Sequence, residues 1–137
     1  MWSTYALLAA LFASLTAILS KIGVKDVDPN LAVAIRVSFV LILVWGIALF
    51  SGAAKELRTV PAGSLGFLFL SAVATGLSWL FYLKALHLGD VSKVAVIDKL
   101  SVALTVILAV ILLGEPVGIR TVAGVLLVTS GSLLLLA

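Results

Sequence analysis

Five apolar runs separated by short polar breaks make up the chain: 2–23, 31–50, 63–88, 91–113 and 119–137. Each comes close to the roughly twenty residues that a helix rising about 1.5 Å per residue needs to cross a bilayer core. The breaks carry turn chemistry: Asp28-Pro29-Asn30, Ser51-Gly52 through Val60-Pro61, Gly89-Asp90 and Gly114-Glu115-Pro116. Pro29, Pro61 and Pro116 all sit in breaks or at helix starts, where a missing N–H does no harm. The pattern therefore predicts helices uninterrupted by proline, unlike the broken helices of many ion-coupled transporters. Transmembrane β-strands would be about half as long and would alternate in polarity. The expected fold is an all-α integral membrane protein, with five transmembrane helices forming one domain over residues 1–137.

Composition strengthens that reading. Of 137 residues, 64% are hydrophobic and 11% charged, less than half the charged fraction of a soluble domain. The mean hydropathy is +1.35. A net charge of +3 is scattered through apolar segments and forms no basic patch alternating with aromatics, which argues against nucleic-acid binding. Without cysteine there is no disulfide, thiolate metal site or thiol nucleophile, and the single His87 makes no metal site alone. Neither a metal nor a cofactor is expected. The run Trp2–Gly23 has no basic leader, exceeds a signal-peptide core and lacks an A-x-A cleavage site, so it reads as a retained span.

Polar residues inside the runs are the informative ones, because a charge in a spanning helix costs about 2.5–3.5 kcal/mol on insertion scales. The fourth run carries Lys93, Asp98 and Lys99 in its first half, and Asp98, Ser101 and Thr105 fall at i, i+3 and i+7 on one face. In the third run Ser71, Thr75, Ser78 and Tyr82 follow 4-3-4 spacing, with Trp79 beside them and Lys84 one turn before the end. Such hydroxyls either bond their own backbone or line a cavity. The length of the stripe favours a cavity wall facing Asp98, Ser101 and Thr105.

Arg36 lies about one and a half turns into the second run. Lys21, Arg36, Lys84, Asp98 and Lys99 all fall toward the same side of the membrane, four cations and one anion from four helices. Lys21 and Lys84 are shallow enough to snorkel. Asp98 is too short to do so, and is expected to pair with Lys84, Lys21 or Arg36, or to titrate; a purely structural ion pair is the competing account.

The first run offers a small-residue face, Ala9, Ala13, Thr16, Ala17 and Ser20. In the fifth, Thr121, Gly124, Val128 and Gly131 at 3-4-3 spacing let two backbones approach closely, which marks this run as the expected dimer interface. Glu115 reads as part of a turn. Loop charges are nearly balanced across the membrane, so the positive-inside rule assigns no orientation, and an antiparallel homodimer is compatible with that balance. With no His pair, no Cys, no G-x-S-x-G and no HExxH, no enzyme is expected.

Three motifs carry a resemblance: the run from Trp79 to Val94 (WLFYLKALHLGDVSKV), Leu112-Leu-Gly-Glu-Pro, and Gly124-Val-Leu-Leu-Val-Thr-Ser-Gly. Together they resemble an EamA domain of the drug/metabolite transporter superfamily, over essentially the whole chain. Typical members carry two such domains in inverted repeat. This chain resembles the half-size members, which implies a dimer working by alternating access around a cavity lined by the third and fourth helices. The small multidrug resistance proteins of that superfamily use a membrane-embedded Glu in their first helix. The first run here has no acidic residue, so that coupling does not carry over.

The combined expectation is a transporter of small polar metabolites in a prokaryotic cell membrane, with anionic or zwitterionic substrates favoured by the basic lining. Arg36, Thr75, Trp79, Tyr82, Lys84, Asp98, Lys99, Ser101 and Thr105 are the expected substrate-binding residues. The alternative is a non-transporting subunit that pairs with another small membrane protein.

Overall fold

The computed structural model describes residues 1–136. Helices α1 (Trp2–Gly23), α2 (Pro29–Phe50), α3 (Ala62–Leu88), α4 (Val91–Ile97), α5 (Leu100–Leu113) and α6 (Ile119–Leu134) follow in order, with a short 3-10 helix at Ala53–Thr59. No strand occurs among the described residues. The chain divides into two compact units, Ile18–Leu88 on the one hand and Met1–Ala17 with the chain from Gly89 onward on the other.

Four stretches are long and apolar enough to span a membrane: α1, α2, α3, and α4 with α5 taken together as Val91–Leu113. Side chains along them are overwhelmingly exposed, Leu68 at 62% and Ile42 at 69% for example. Ala17, Val24, Val33, Leu83 and Leu86 are the buried apolar residues among those described. A water-soluble protein could not leave such surface bare, whereas lipid tails solvate it and only backbone groups must be satisfied internally. This is a multi-pass membrane protein.

Local chemistry accounts for the helix ends. Asp28 caps α2, its Oδ1 accepting from the N–H groups of Asn30 (2.8 Å) and Leu31 (3.2 Å), while Pro29 occupies the first turn. The helix thus begins two residues before the apolar run does. In the loop after α2, Gly52 adopts φ +80° and the short 3-10 helix follows it. Gly114 closes α5 with φ +65°, its N–H reaching the Val110 carbonyl at 3.2 Å, a left-handed cap that glycine adopts without steric penalty. The Glu115 N–H turns back to the Ala109 carbonyl at 3.3 Å, so this residue finishes α5 as the turn reading anticipates.

Two expectations need revision. The fifth run forms a helix of 16 residues, Ile119–Leu134, about 24 Å long at 1.5 Å per residue and short of a full bilayer core. Its last turn tightens to three-residue spacing, Leu135 to Ser132 and Leu136 to Leu133, and Ala137 lies outside the described residues.

The fourth run, expected as one unbroken helix, is interrupted at Asp98-Lys99 without any proline. There the N–H groups of Lys99, Ser101 and Val102 bond the carbonyls of Val96, Asp98 and Lys99 at 3.0, 3.1 and 3.0 Å. This three-residue spacing is that of a 3-10 turn. The backbone stays right-handed at Asp98 (φ −55°, ψ −27°) and Lys99 (φ −70°, ψ −8°), so the helix tightens and does not reverse. A side chain from another helix meets the backbone at this point. Ser132 of α6 places its Oγ 2.9 Å from the Val96 carbonyl, and insertion of a polar side chain into the backbone ladder is a recognised origin of helix breaks.

Candidate functional site

Within the first unit, α2 packs on α3. Val33, Arg36 and Val40, at 3-4 spacing, form the face of α2 that is buried or half-buried. Gly76, Trp79, Leu80 and Leu83 form the corresponding face of α3. This periodicity carries the Arg36 guanidinium over the Trp79 ring, 4.6 Å from its centroid. A cation over an indole face gains about 0.5–2 kcal/mol, more as water is withdrawn. Tyr82 is half-buried one turn further on, and Lys84 is exposed.

The rest of the third-helix stripe is exposed. The Thr75 hydroxyl donates to the Ser71 carbonyl of its own helix at 2.8 Å, the simpler of the two roles open to it.

In the second unit, Asp98 pairs with its neighbour Lys99 at 3.4 Å, not with a basic residue of another run. Both side chains are about half exposed, 42% for Asp98 and 53% for Lys99. The Ser101 hydroxyl donates to the Asp98 carbonyl at 2.7 Å, and Thr105 lies exposed two turns beyond Asp98. The expected residues therefore gather in two places: Arg36, Trp79 and Tyr82 on α2 and α3, and Asp98, Lys99 and Ser101 at the break in the fourth run.

Sequence reasoning missed a reciprocal clip between α1 and α3. Lys21 of α1 donates to the carbonyl of Leu86, and His87 of α3 donates from Nδ1 to the Val24 carbonyl at 2.9 Å. Each helix thereby lends a basic side chain to the C-terminal carbonyls of the other, where intrahelical partners run out. Val24 and Leu86 are fully buried beneath the clip. The detectable signal was the placement of Lys21 and His87 in the last turns of their helices.

A cleft of about 530 Å3 lies here, lined by Lys21, Ile22, Val24, Lys25, Leu86 and His87. Lys21 and His87 sit against two helix C-termini, where positive charge offsets the negative dipole end. Lys21→Met or His87→Leu is expected to destabilise the protein by about 1–2 kcal/mol, read as a lowered unfolding temperature in detergent. The double variant should lose less than the sum, because both bonds close one junction.

On α6, Val125, Thr129 and Ser132 are half-buried or buried, and this helix packs against α4 and α5. Thr121, Gly124, Val128 and Gly131 stay exposed in the unit, and a Cβ built on Gly124 or Gly131 meets nothing within 4 Å. Among the described residues no group of three or more metal-ligating side chains assembles.

The EamA-like transporter family model matches residues 1–137. The chain belongs to that family. It is also 40% identical over 134 residues to an uncharacterized transporter in the cobO 3′ region of Sinorhizobium sp., covering 98% of this chain and 95% of that protein. No solved structure matches. Membership makes the chain a membrane transporter.

Proposed function

We propose that this EamA-like transporter moves small anionic or zwitterionic metabolites across a prokaryotic cell membrane by alternating access, as a dimer. The observation that carries the reading is the Arg36–Trp79 pair, a half-buried cation held on an aromatic face within a spanning helix pair. Arginine offers a rigid fork of donors that matches carboxylate or phosphate, and packing on Trp79 pre-orients it. In the same unit Lys84 adds positive charge and Thr75 and Tyr82 offer hydroxyl oxygens; the other unit offers Asp98 for an ammonium, Lys99 for an anion, and the hydroxyls of Ser101 and Thr105.

The exposed Thr121-Gly124-Val128-Gly131 face of α6 supports a dimer, since small residues in register let helices pack closely in lipid. A helix only about 24 Å long is better accommodated against a second protein surface than alone in the bilayer.

The test is uptake by proteoliposomes of labelled organic anions, zwitterions and lipophilic cations. Anions and zwitterions should accumulate well above protein-free vesicles, and cations should not; selective cation uptake would overturn the substrate class. In the same membranes single cysteines at Thr121 and Val128 should form intermolecular crosslinks, against a background free of native thiols. A strictly monomeric, inactive protein would make the chain a subunit awaiting a different partner.

A further inference from the structure

Ser132 is the buried polar residue of this chain among those described, with none of its surface exposed. Its hydroxyl stands 2.9 Å from two carbonyls, that of Val96 across the helix pair and that of Val128 one turn back in α6. A hydroxyl has one hydrogen, so only one of the two receives a full bond at a time. The Val96 carbonyl meanwhile keeps the Lys99 N–H at 3.0 Å. If α4 moved away from α6, the hydroxyl would pass its hydrogen to Val128 and Val96 would retain Lys99. No polar group would be stranded in an apolar surrounding, which is the usual obstacle to breaking a backbone contact inside a membrane.

From this we infer that the Asp98-Lys99 turn is a hinge within the fourth span and that Ser132 is its latch. Seven residues of α4 swing on the turn against the 14 of α5, carrying the Asp98–Lys99 ion pair at the pivot. The tightened 3-10 spacing at this point is the form in which mid-helix hinges often occur. Ser132 is thus a positioning residue, acting on the charged pair through the backbone of Val96. The hinge is a property of the chain itself; its service to transport rests on the function proposed above.

The experiment needs no substrate, so its outcome is independent of whether the transport reading holds. Spin labels on cysteines at Ser92 and Ile111, both exposed, would lie roughly 28 Å apart along a continuous helix at 1.5 Å per residue. Double electron–electron resonance in nanodiscs then reports the angle at the turn. Ser132→Thr and Ser132→Val match in shape and differ in the hydroxyl. The threonine variant should reproduce the native distance distribution. The valine variant should enlarge a second population about fivefold, the shift expected on losing one ordinary hydrogen bond.

Ser132→Ala serves the same comparison should the bulkier side chains not fit, with deuterium exchange of the 99–102 amides as its readout. Exchange there should rise about fivefold over the rest of the span. Identical distributions for threonine and valine, or exchange that rises uniformly along the chain, would overturn the hinge and leave Ser132 a simple tether.

Discussion

Replacing Arg36 by Met is expected to slow anion uptake about thirtyfold, since a charge-assisted hydrogen bond is worth about 2 kcal/mol and each 1.4 kcal/mol is a factor of ten. Arg36→Lys keeps the charge but not the planar fork, and should lose about three- to tenfold, given that a point ammonium cannot bond a carboxylate bidentately. The pairing with Trp79 makes a second measurement informative. Trp79→Phe retains a ring beneath the guanidinium, whereas Trp79→Ala removes both ring and packing. If the ring orients Arg36, initial rates should fall in the order native, Phe, Ala, and the effect should largely vanish in an Arg36→Met background. Additive losses would mean that the ring contacts substrate by itself. Native-like uptake by Arg36→Met would remove the guanidinium from the site altogether.

Much of this was legible in the residues. Runs of about twenty apolar positions and the placement of all three prolines gave the first three helices to within two residues, while the fourth run proved broken and the fifth ended three residues early. Arg36 and Trp79 were both singled out as expected substrate-binding residues, although their contact was not foreseen. It depends on the crossing of two helices whose apolar faces carry almost no periodic signal, because lipid-exposed helices are hydrophobic all round.

The break at Asp98-Lys99 escaped for a different reason. Its sequence, Val96-Ile-Asp-Lys-Leu-Ser101, contains neither proline nor glycine, and the polar contact made there comes from a serine some thirty residues further along. A hydroxyl's acceptor cannot be read from spacing. The same holds for the clip between α1 and α3, where Lys21 read as a snorkelling side chain and turned out to close a neighbouring helix. The small-residue stripe on α6 was visible, yet the face that α6 uses within its own unit is the adjacent one, Val125, Thr129 and Ser132.

The ion pair at the break offers the sharpest separation of structure from function. Asp98→Asn leaves Lys99 without its counter-charge in a spanning segment, and Lys99→Met does the same to Asp98. On insertion scales each single change should cost about 2.5–3.5 kcal/mol of stability. The double variant Asp98→Asn/Lys99→Met removes both charges together and should regain most of that loss, because a neutral pair of similar size is often as stable as the ion pair it replaces. Thermal unfolding in detergent checks this cycle.

Uptake then discriminates between the two roles. If the pair serves only to neutralise itself, transport returns with stability in the double variant. If Asp98 and Lys99 meet the substrate, the double variant folds like the native chain and still transports at least tenfold more slowly, one charged contact being worth about 1.5–3 kcal/mol. The second outcome is the one expected here. Both charges stand half exposed at the one place where the span can bend, and a pair kept solely for its own neutrality would have no reason to occupy that turn.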